Sequence, residues 1–225
     1  MSNLTGHIIG YDPGGNGKHG FAALRVDRGE PKSLSTKKLY DAEGVLSHIE
    51  HTGRDLIALG IDTMTCWCTG ESGLRPADEW LDENYSGNSV VSPNGMYGSM
   101  GINGMAVVFE VRNDSTLGDG TGNPPVTETH PKVLYQEVWG VGNGFPEYGD
   151  VPKMNAALED ELGLPVEADS DHEWDAAVST LGALRGLTGA WGFDLHHDLD
   201  REPDGRLVKP SGETHYFWPE EGAQQ

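Results

Sequence analysis

Basic side chains are scarce in this chain. Fifteen Lys and Arg stand against 36 Asp and Glu in 225 residues, a formal net charge of -21 with His neutral. A surface of that sign repels a phosphate backbone, which excludes avid non-specific binding to nucleic acid. Any such contact has to run through a local basic patch, metal ions or concentrated salt. Only seven residues are lysine, and the acidic excess goes well beyond what solubility asks. Together they point to adaptation to a salt-rich cytoplasm. Cysteine is also scarce. Cys66 and Cys68, separated by Trp67, are too few for a disulfide framework. A four-ligand structural zinc lacks its second pair, so small semi-buried thiols in a reduced compartment are expected. No apolar stretch approaches the roughly 20 residues that span a bilayer. Met1-Ser2-Asn3-Leu4 also lacks the charged start and apolar run of a leader. The expectation is a cytoplasmic protein with no membrane partner.

Glycine, by contrast, is plentiful. Its 32 residues are about twice the usual share, without a collagen-like period, which predicts many tight turns. The length suits one large domain. His7–Asp12 reads as a buried strand stopped by Pro13-Gly14-Gly15, followed by strands over Gly20–Val26 and Ser33–Leu39 with a turn across Asp27–Pro31. This opening predicts a three-strand antiparallel meander. Val45, Leu46 and Ile49 give helical spacing between Asp41, the expected N-cap, and Thr52. Leu56–Asp62 is an apolar run typical of a central strand covered on both faces. A helix starting near Pro76 is expected within Ser72–Tyr85, a strand over Ala106–Val111, and a loop over Asn113–Pro125. Asn94–Met105 fits no simple pattern. A strand over Pro125–Thr129 precedes a helix over Lys132–Trp139. Trp174, Ala177, Val178, Leu181 and Leu184 stripe a helix over Glu173–Leu187. Asp194–Asp204 reads as an acidic loop and Arg206–Trp218 as an edge hairpin turning at Pro210-Ser211-Gly212.

The chemistry lies in where the acids fall. Asp12, Asp62 and Glu128 each sit where a strand should stop, and in α/β sheets ligands collect outside strand ends. Asp171, His172 and Asp175 stand at the start of the last helix, where residues three and four apart share a face. Carboxylates brought together repel one another and raise their pKa values unless a cation neutralises them. Hard oxygen donors select Mg²⁺ or Mn²⁺, and a pair of ions about 3.5–4 Å apart would clamp the attacking and leaving oxygens of a phosphodiester. His172 would be a further ligand or would orient a water. Taken singly, each of these acids is most simply a turn or helix cap, Asp171 above all; the shared site rests on their joint placement. Other candidates are weaker. Gly15-Asn16-Gly17-Lys18-His19 lacks the first glycine and the Ser/Thr of a phosphate loop. His196-His197-Asp198 offers metal ligands but sits in a polar loop where a solvated segment is the default reading, and Arg75, Asp78 and Arg112 serve equally well as substrate contacts or as surface ion pairs.

An acid ending the first strand of a meander, another ending the fourth, and an acid-bearing late helix resemble the ribonuclease H-like superfamily. His172-Glu173-Trp174-Asp175-Ala176-Ala177 is similar to the His-x-x-Asp-Ala start of the last helix in RuvC-type resolvases. Leu59-Gly60-Ile61-Asp62, Gly73–Leu81, Glu128-Thr129-His130-Pro131 and His215–Pro219 resemble the predicted-nuclease family catalogued as domain of unknown function 429. Thr63-Met64-Thr65-Cys66 departs from that family's proline and glycine after the acid. The resemblance implies an α/β fold with a mixed five-stranded sheet flanked by helices. It further implies one domain over 1–225 with an inserted region at about 66–125 and a C-terminal extension at about 194–225. The implied catalytic metal site is Asp12, Asp62, Glu128 and Asp175, acting on nucleic acid. Other function classes stay open: a nucleotide-binding or regulatory protein on the same scaffold, or a silent interaction module using the aromatic C-terminal segment. No residue demands a homodimer and none excludes one. The acidic composition gives its own expected outcome: thermal stability should rise from dilute buffer to molar KCl, and greatest stability in dilute buffer would remove the salt-adaptation reading.

Overall fold

The computed structural model describes residues 4–85, 98–118, 123–140 and 149–219. Strands β1 (Gly6–Asp12), β2 (His19–Asp27) and β3 (Glu30–Leu39) form the expected meander, joined in antiparallel register from Gly6↔Val26 and His19↔Leu39 onwards. The β2–β3 turn places Arg28 at φ 54 and Gly29 at φ 83, the double left-handed step of a two-residue hairpin. Helix α1 (Ala42–Glu50) is capped by Asp41, whose side chain accepts from Gly44 N at 2.8 Å. Strand β4 (Leu56–Ile61) then runs parallel to β1. The short β5 (Trp67–Cys68) and helices α2 (Pro76–Asn84) and α3 (Gly98–Asn113) come before β6 (Val126–Glu128), which is parallel to β4. Helices α4 (Pro131–Trp139), α5 (Val151–Leu162) and α6 (Asp171–Leu187) follow, and then three two-residue strands, β7 (Phe193–Asp194), β8 (Leu207–Val208) and β9 (Phe217–Trp218). The main sheet has the order β3-β2-β1-β4-β6. It is a mixed five-stranded sheet flanked by helices, as expected.

Each strand's sequence suits its place. β1 and β4 sit in the middle and are buried almost throughout. β3, with Lys32, Lys37 and Lys38 on a largely exposed edge, carries the charges that discourage edge-to-edge pairing. Ile9, Tyr11, Leu59, Ile61 and Val126 pack with residues of α1 and α3 in one core. Ile8, Leu24 and Ala58 pack with α4, α5 and α6 in the other.

The approach of α6 depends on glycine. Gly10, Gly20 and Gly60 lie on β1, β2 and β4, and a Cβ at each would stand 1.8, 1.8 and 2.0 Å from the carbonyl oxygens of Ala176, His172 and Ser179 respectively. Those oxygens are spaced four and three residues apart, one per helical turn. Three side-chain-free positions on adjacent strands therefore form a track on which the helix backbone rests directly. Ser170 caps α6 by accepting from Glu173 N, and its hydroxyl donates to the Glu173 carboxylate at 2.7 Å.

Several expectations are corrected. Ala106–Val111 is not a strand; it lies inside α3, where Gly104, Val107, Val108 and Val111 are buried. That i, i+3, i+4, i+7 spacing is helical and overrides the β-preference of three valines. Arg206–Trp218 is not a hairpin. A turn does form there, with Gly212 N donating to Lys209 O at 3.2 Å, but β8 pairs with β5 and β9 with β7. Ser170, rather than Asp171, is the α6 cap. The helix α5, which was not expected, buries Met154, Leu158 and Leu162 at four-residue spacing and ends at Gly163 in the left-handed region. Parts of Asn94–Met105 and Asn113–Pro125 lie outside the described residues. Among the described residues no helix is long and apolar enough to cross a membrane.

Substituting Gly60→Ala forces the Ser179 carbonyl away from the sheet and should destabilise the protein by about 1–3 kcal/mol or more. Gly15→Ala, with nothing within 4 Å of its Cβ, is the control and should be near neutral. Urea unfolding midpoints of the two variants test this.

Candidate metal and catalytic site

The parallel register puts Tyr11 opposite Ile61 and Ile61 opposite Glu128. Asp62 extends the ladder by one step, its N–H donating to Tyr11 O at 2.9 Å. Asp12 and Asp62 therefore leave the ends of neighbouring parallel strands side by side, and Glu128 stands one rung behind Asp62. On the α6 side, His172 Nδ1 lies 2.5 Å from Asp12 Oδ2. Asp175 is buried one turn along the helix, next to Ala176, whose carbonyl rests on Gly10. Asp171 stays exposed, its carboxylate accepting from His172 N at 3.0 Å.

The electrostatics separate these acids into two groups. Burial pushes the Asp62 carboxyl well above its ordinary value, and the charges of Asp12 and Glu128 push it further. Asp12 is also raised, by burial first, although the hydrogen bond and charge of His172 pull the other way. His172 is raised by its hydrogen bond to Asp12, against the effect of its own partial burial. At both carboxyls burial is the leading cause, with neighbouring like charge adding to it.

Glu128 is different. Arg75 grips it with two nitrogens, Nη2 at 2.6 Å from Oε1 and Nη1 at 2.8 Å from Oε2. Thr65 adds its backbone N–H at 2.8 Å and its hydroxyl at 2.9 Å, both to Oε2. Burial would raise the Glu128 carboxyl, but Arg75, His196 and the Thr65 amide outweigh it and hold the group below its ordinary value. Arg75 also pairs with Asp78, at 2.6 and 2.8 Å. The Arg75–Asp78 pair is thus buried, not on the surface, and with Glu128 forms a hydrogen-bonded triad that is bidentate at both carboxylates and carries one net negative charge. Arg112 donates to the Glu213 carbonyl at 2.7 Å.

Sequence reasoning missed His196. It is buried rather than solvated, with Nε2 3.6 Å from Glu128 Oε2 and Nδ1 3.1 Å from Thr214 O. Its neighbour Thr214 meets Thr65 hydroxyl to hydroxyl at 2.7 Å. The C-terminal segment thereby closes over the Glu128 end of the sheet, His215 bridging Thr127 and exchanging backbone bonds with Val126 and Glu128. The alternation around His215 was readable, but its partner strand, more than 80 residues away, was not. Cys66 and Cys68 are free and buried. Burial, against the pull of Arg75, raises the Cys66 thiol.

No family model matches the chain, so the resemblance to domain of unknown function 429 gains no support, and no curated protein matches it either. The chain is similar to the RuvC structure of Thermus thermophilus. The two share 17% identity at a TM-score of 0.40, over 81% of this chain and 96% of that one.

Asp62 supplies a prediction with a definite sign. Its folded-state pKa is raised above the ordinary 3.8, so its contribution to stability is complete below that value and is lost as pH rises through the folded pKa. In chelator, melting temperature should fall from pH 5 to pH 8 for the native chain and fall less for Asp62→Asn, which should melt higher at pH 8. Each kcal/mol relieved is worth about 2–4 °C in a domain of this size. Identical pH slopes would mean that the Asp62 carboxyl is not raised in the folded chain.

Proposed function

We propose that the chain is a metal-dependent nuclease or phosphodiesterase whose ions are held by Asp12, Asp62 and Asp175, with His172 beside them and Asp171 at the rim. The observation that carries this reading is the pairing of Asp12 with Asp62 at adjacent parallel strand ends, both carboxyls raised by burial and, at Asp62, by mutual charge. Such a donor set suits a hard divalent cation, Mg²⁺ or Mn²⁺. When bound, the ion supplies charge stabilisation at phosphorus and acidifies an attacking water.

The chain's own residues do the remainder. His172, partly exposed and hydrogen-bonded to Asp12, is placed to hold a water or to return a proton to a leaving oxygen, which matches general acid–base work near neutral pH. Glu128 was expected to be a ligand. With both oxygens engaged by Arg75 and Thr65, its part is better read as positioning: it fixes the loop after Asp62 through Thr65 and adds to the field that draws a cation in. Nucleic acid is the proposed substrate, reached through this local site and not through the surface at large, in a cytoplasm whose salt screens the acidic exterior.

Calorimetric titration of Mg²⁺ and Mn²⁺ at high salt, for the native chain and Asp175→Asn, tests the site. A cleavage assay on labelled single strands, duplexes and branched junctions then tests the activity. Metal binding and metal-dependent cutting should both be present in the native chain. Loss of several kcal/mol of charge stabilisation in the variant should lower the rate about 10²–10³-fold. Metal binding without cutting would favour the nucleotide-binding or regulatory reading; no binding would leave the acids as caps.

A further inference from the structure

A second set of ligands lies outside the carboxylate site, in the C-terminal segment. Among the described residues, Asp194, His197 and His215 are the one group of three or more His, Cys, Asp or Glu side chains whose donor atoms all lie within 4.8 Å of one another. The Nδ1 atoms of His197 and His215 each lie 2.8 Å from the same oxygen, Asp194 Oδ2. Asp194 is held in place by its other oxygen: Oδ1 accepts from His196 N at 3.0 Å and from Tyr216 N at 2.9 Å, while Asp194 N donates to Asp198 Oδ2 at 2.7 Å. The two rings are 5.4 Å apart and inclined at 51°, so their nitrogens converge on one point from different directions.

The far side of His197 gives a second, independent observation. Its Nε2 lies 3.2 Å from Glu213 Oε2, and Glu213 in turn receives Lys209 at 2.6 Å. Glu213 therefore stands where the outer carboxylate partner of a metal-bound histidine usually stands.

We propose that Asp194 Oδ2, His197 Nδ1 and His215 Nδ1 form a binding site for one divalent cation of the zinc class, with Glu213 orienting His197. Two imidazoles and one carboxylate suit Zn²⁺, Co²⁺ or Ni²⁺ in preference to the Mg²⁺ or Mn²⁺ of an all-oxygen site. Two ligands on a tetrahedral ion with bonds of about 2.1 Å stand about 3.4 Å apart, so each ring has to open by about half an ångström. Both histidine side chains are more than a third exposed and have room to do so. Three protein ligands at the surface leave a position open to water. The ion would tie β7, the segment before β9 and the edge of β6 into one unit.

Purified full-length protein, stripped with chelator, is titrated with Co²⁺ and followed by its visible d–d absorption, and with Zn²⁺ followed by calorimetry and melting temperature. With Mg²⁺ in large excess at the carboxylate site, one equivalent should bind tightly and raise the melting temperature in the native chain and in Asp175→Asn, and that equivalent should be lost in His215→Gln and His197→Gln. Glu213→Gln should bind about 10–100-fold more weakly. Circular dichroism establishes that the variants are folded, and should one histidine variant fail to fold, the other decides. The proposal is overturned if the native chain binds no Co²⁺ or Zn²⁺, if a folded histidine variant binds as tightly as the native chain, or if Asp175→Asn abolishes the signal. The last outcome would place the ion at the strand-end acids instead, so failure here is separable from failure of the nuclease reading.

Discussion

Everything at the candidate site depends on how closely one helix backbone can approach the sheet. A helix packed on a sheet through side chains stands about 10 Å away, too far for a short acid on its first turns to reach a short acid on a strand. Here Gly10, Gly20 and Gly60 remove the intervening side chains, and the carbonyls of His172, Ala176 and Ser179 occupy the space that a Cβ would fill. The helix is lowered onto three neighbouring strands at once, and its first turn meets Asp12 through His172. The glycine richness that the composition expresses only as a tendency to turn has this more specific use in the middle of the fold.

The second constraint is charge. A buried carboxylate needs a compensating partner, and the protein solves this in two ways a short distance apart. Glu128 is given a guanidinium, two contributions from Thr65 and a neighbouring imidazole, a complete and self-contained arrangement. Asp12 and Asp62 are given each other and a single histidine. The contrast marks the second pair as the place where the fold tolerates unfavourable electrostatics, a pattern associated with function more often than with stability.

Much of the architecture was legible in the sequence because it follows from local periodicity. The meander, α1, β4, α2 and α6 all declare themselves through alternation, helical spacing or a cap, and a mixed five-stranded sheet was implied by a resemblance carried by acids at strand ends, though not its strand order. What could not be read was partner choice at long range. The alternation of Arg206–Trp218 was real, but its halves pair with β5 and β7 instead of with each other. The spacing of Val107, Val108 and Val111 contained the helical period of α3, masked by the strand preference of valine. The end of a strand was the right place to look for acids, yet nothing in one dimension revealed that Arg75, 53 residues before Glu128, would take both of its oxygens. His196 was hidden for the same reason: a polar loop in sequence is buried when a distant strand end receives it.

The three acids of the candidate site stand at positions 12, 62 and 175, and the helix that carries the last of them is also the main cover of one face of the sheet. A growing chain can pair β1, β2 and β3 early, because those contacts are local, but the closure that brings α6 onto the glycine track spans more than 100 residues and is entropically the later event. Burial of that core and the meeting of His172 with Asp12 are therefore one and the same step, so any loosening of the helix from the glycine track also separates that pair.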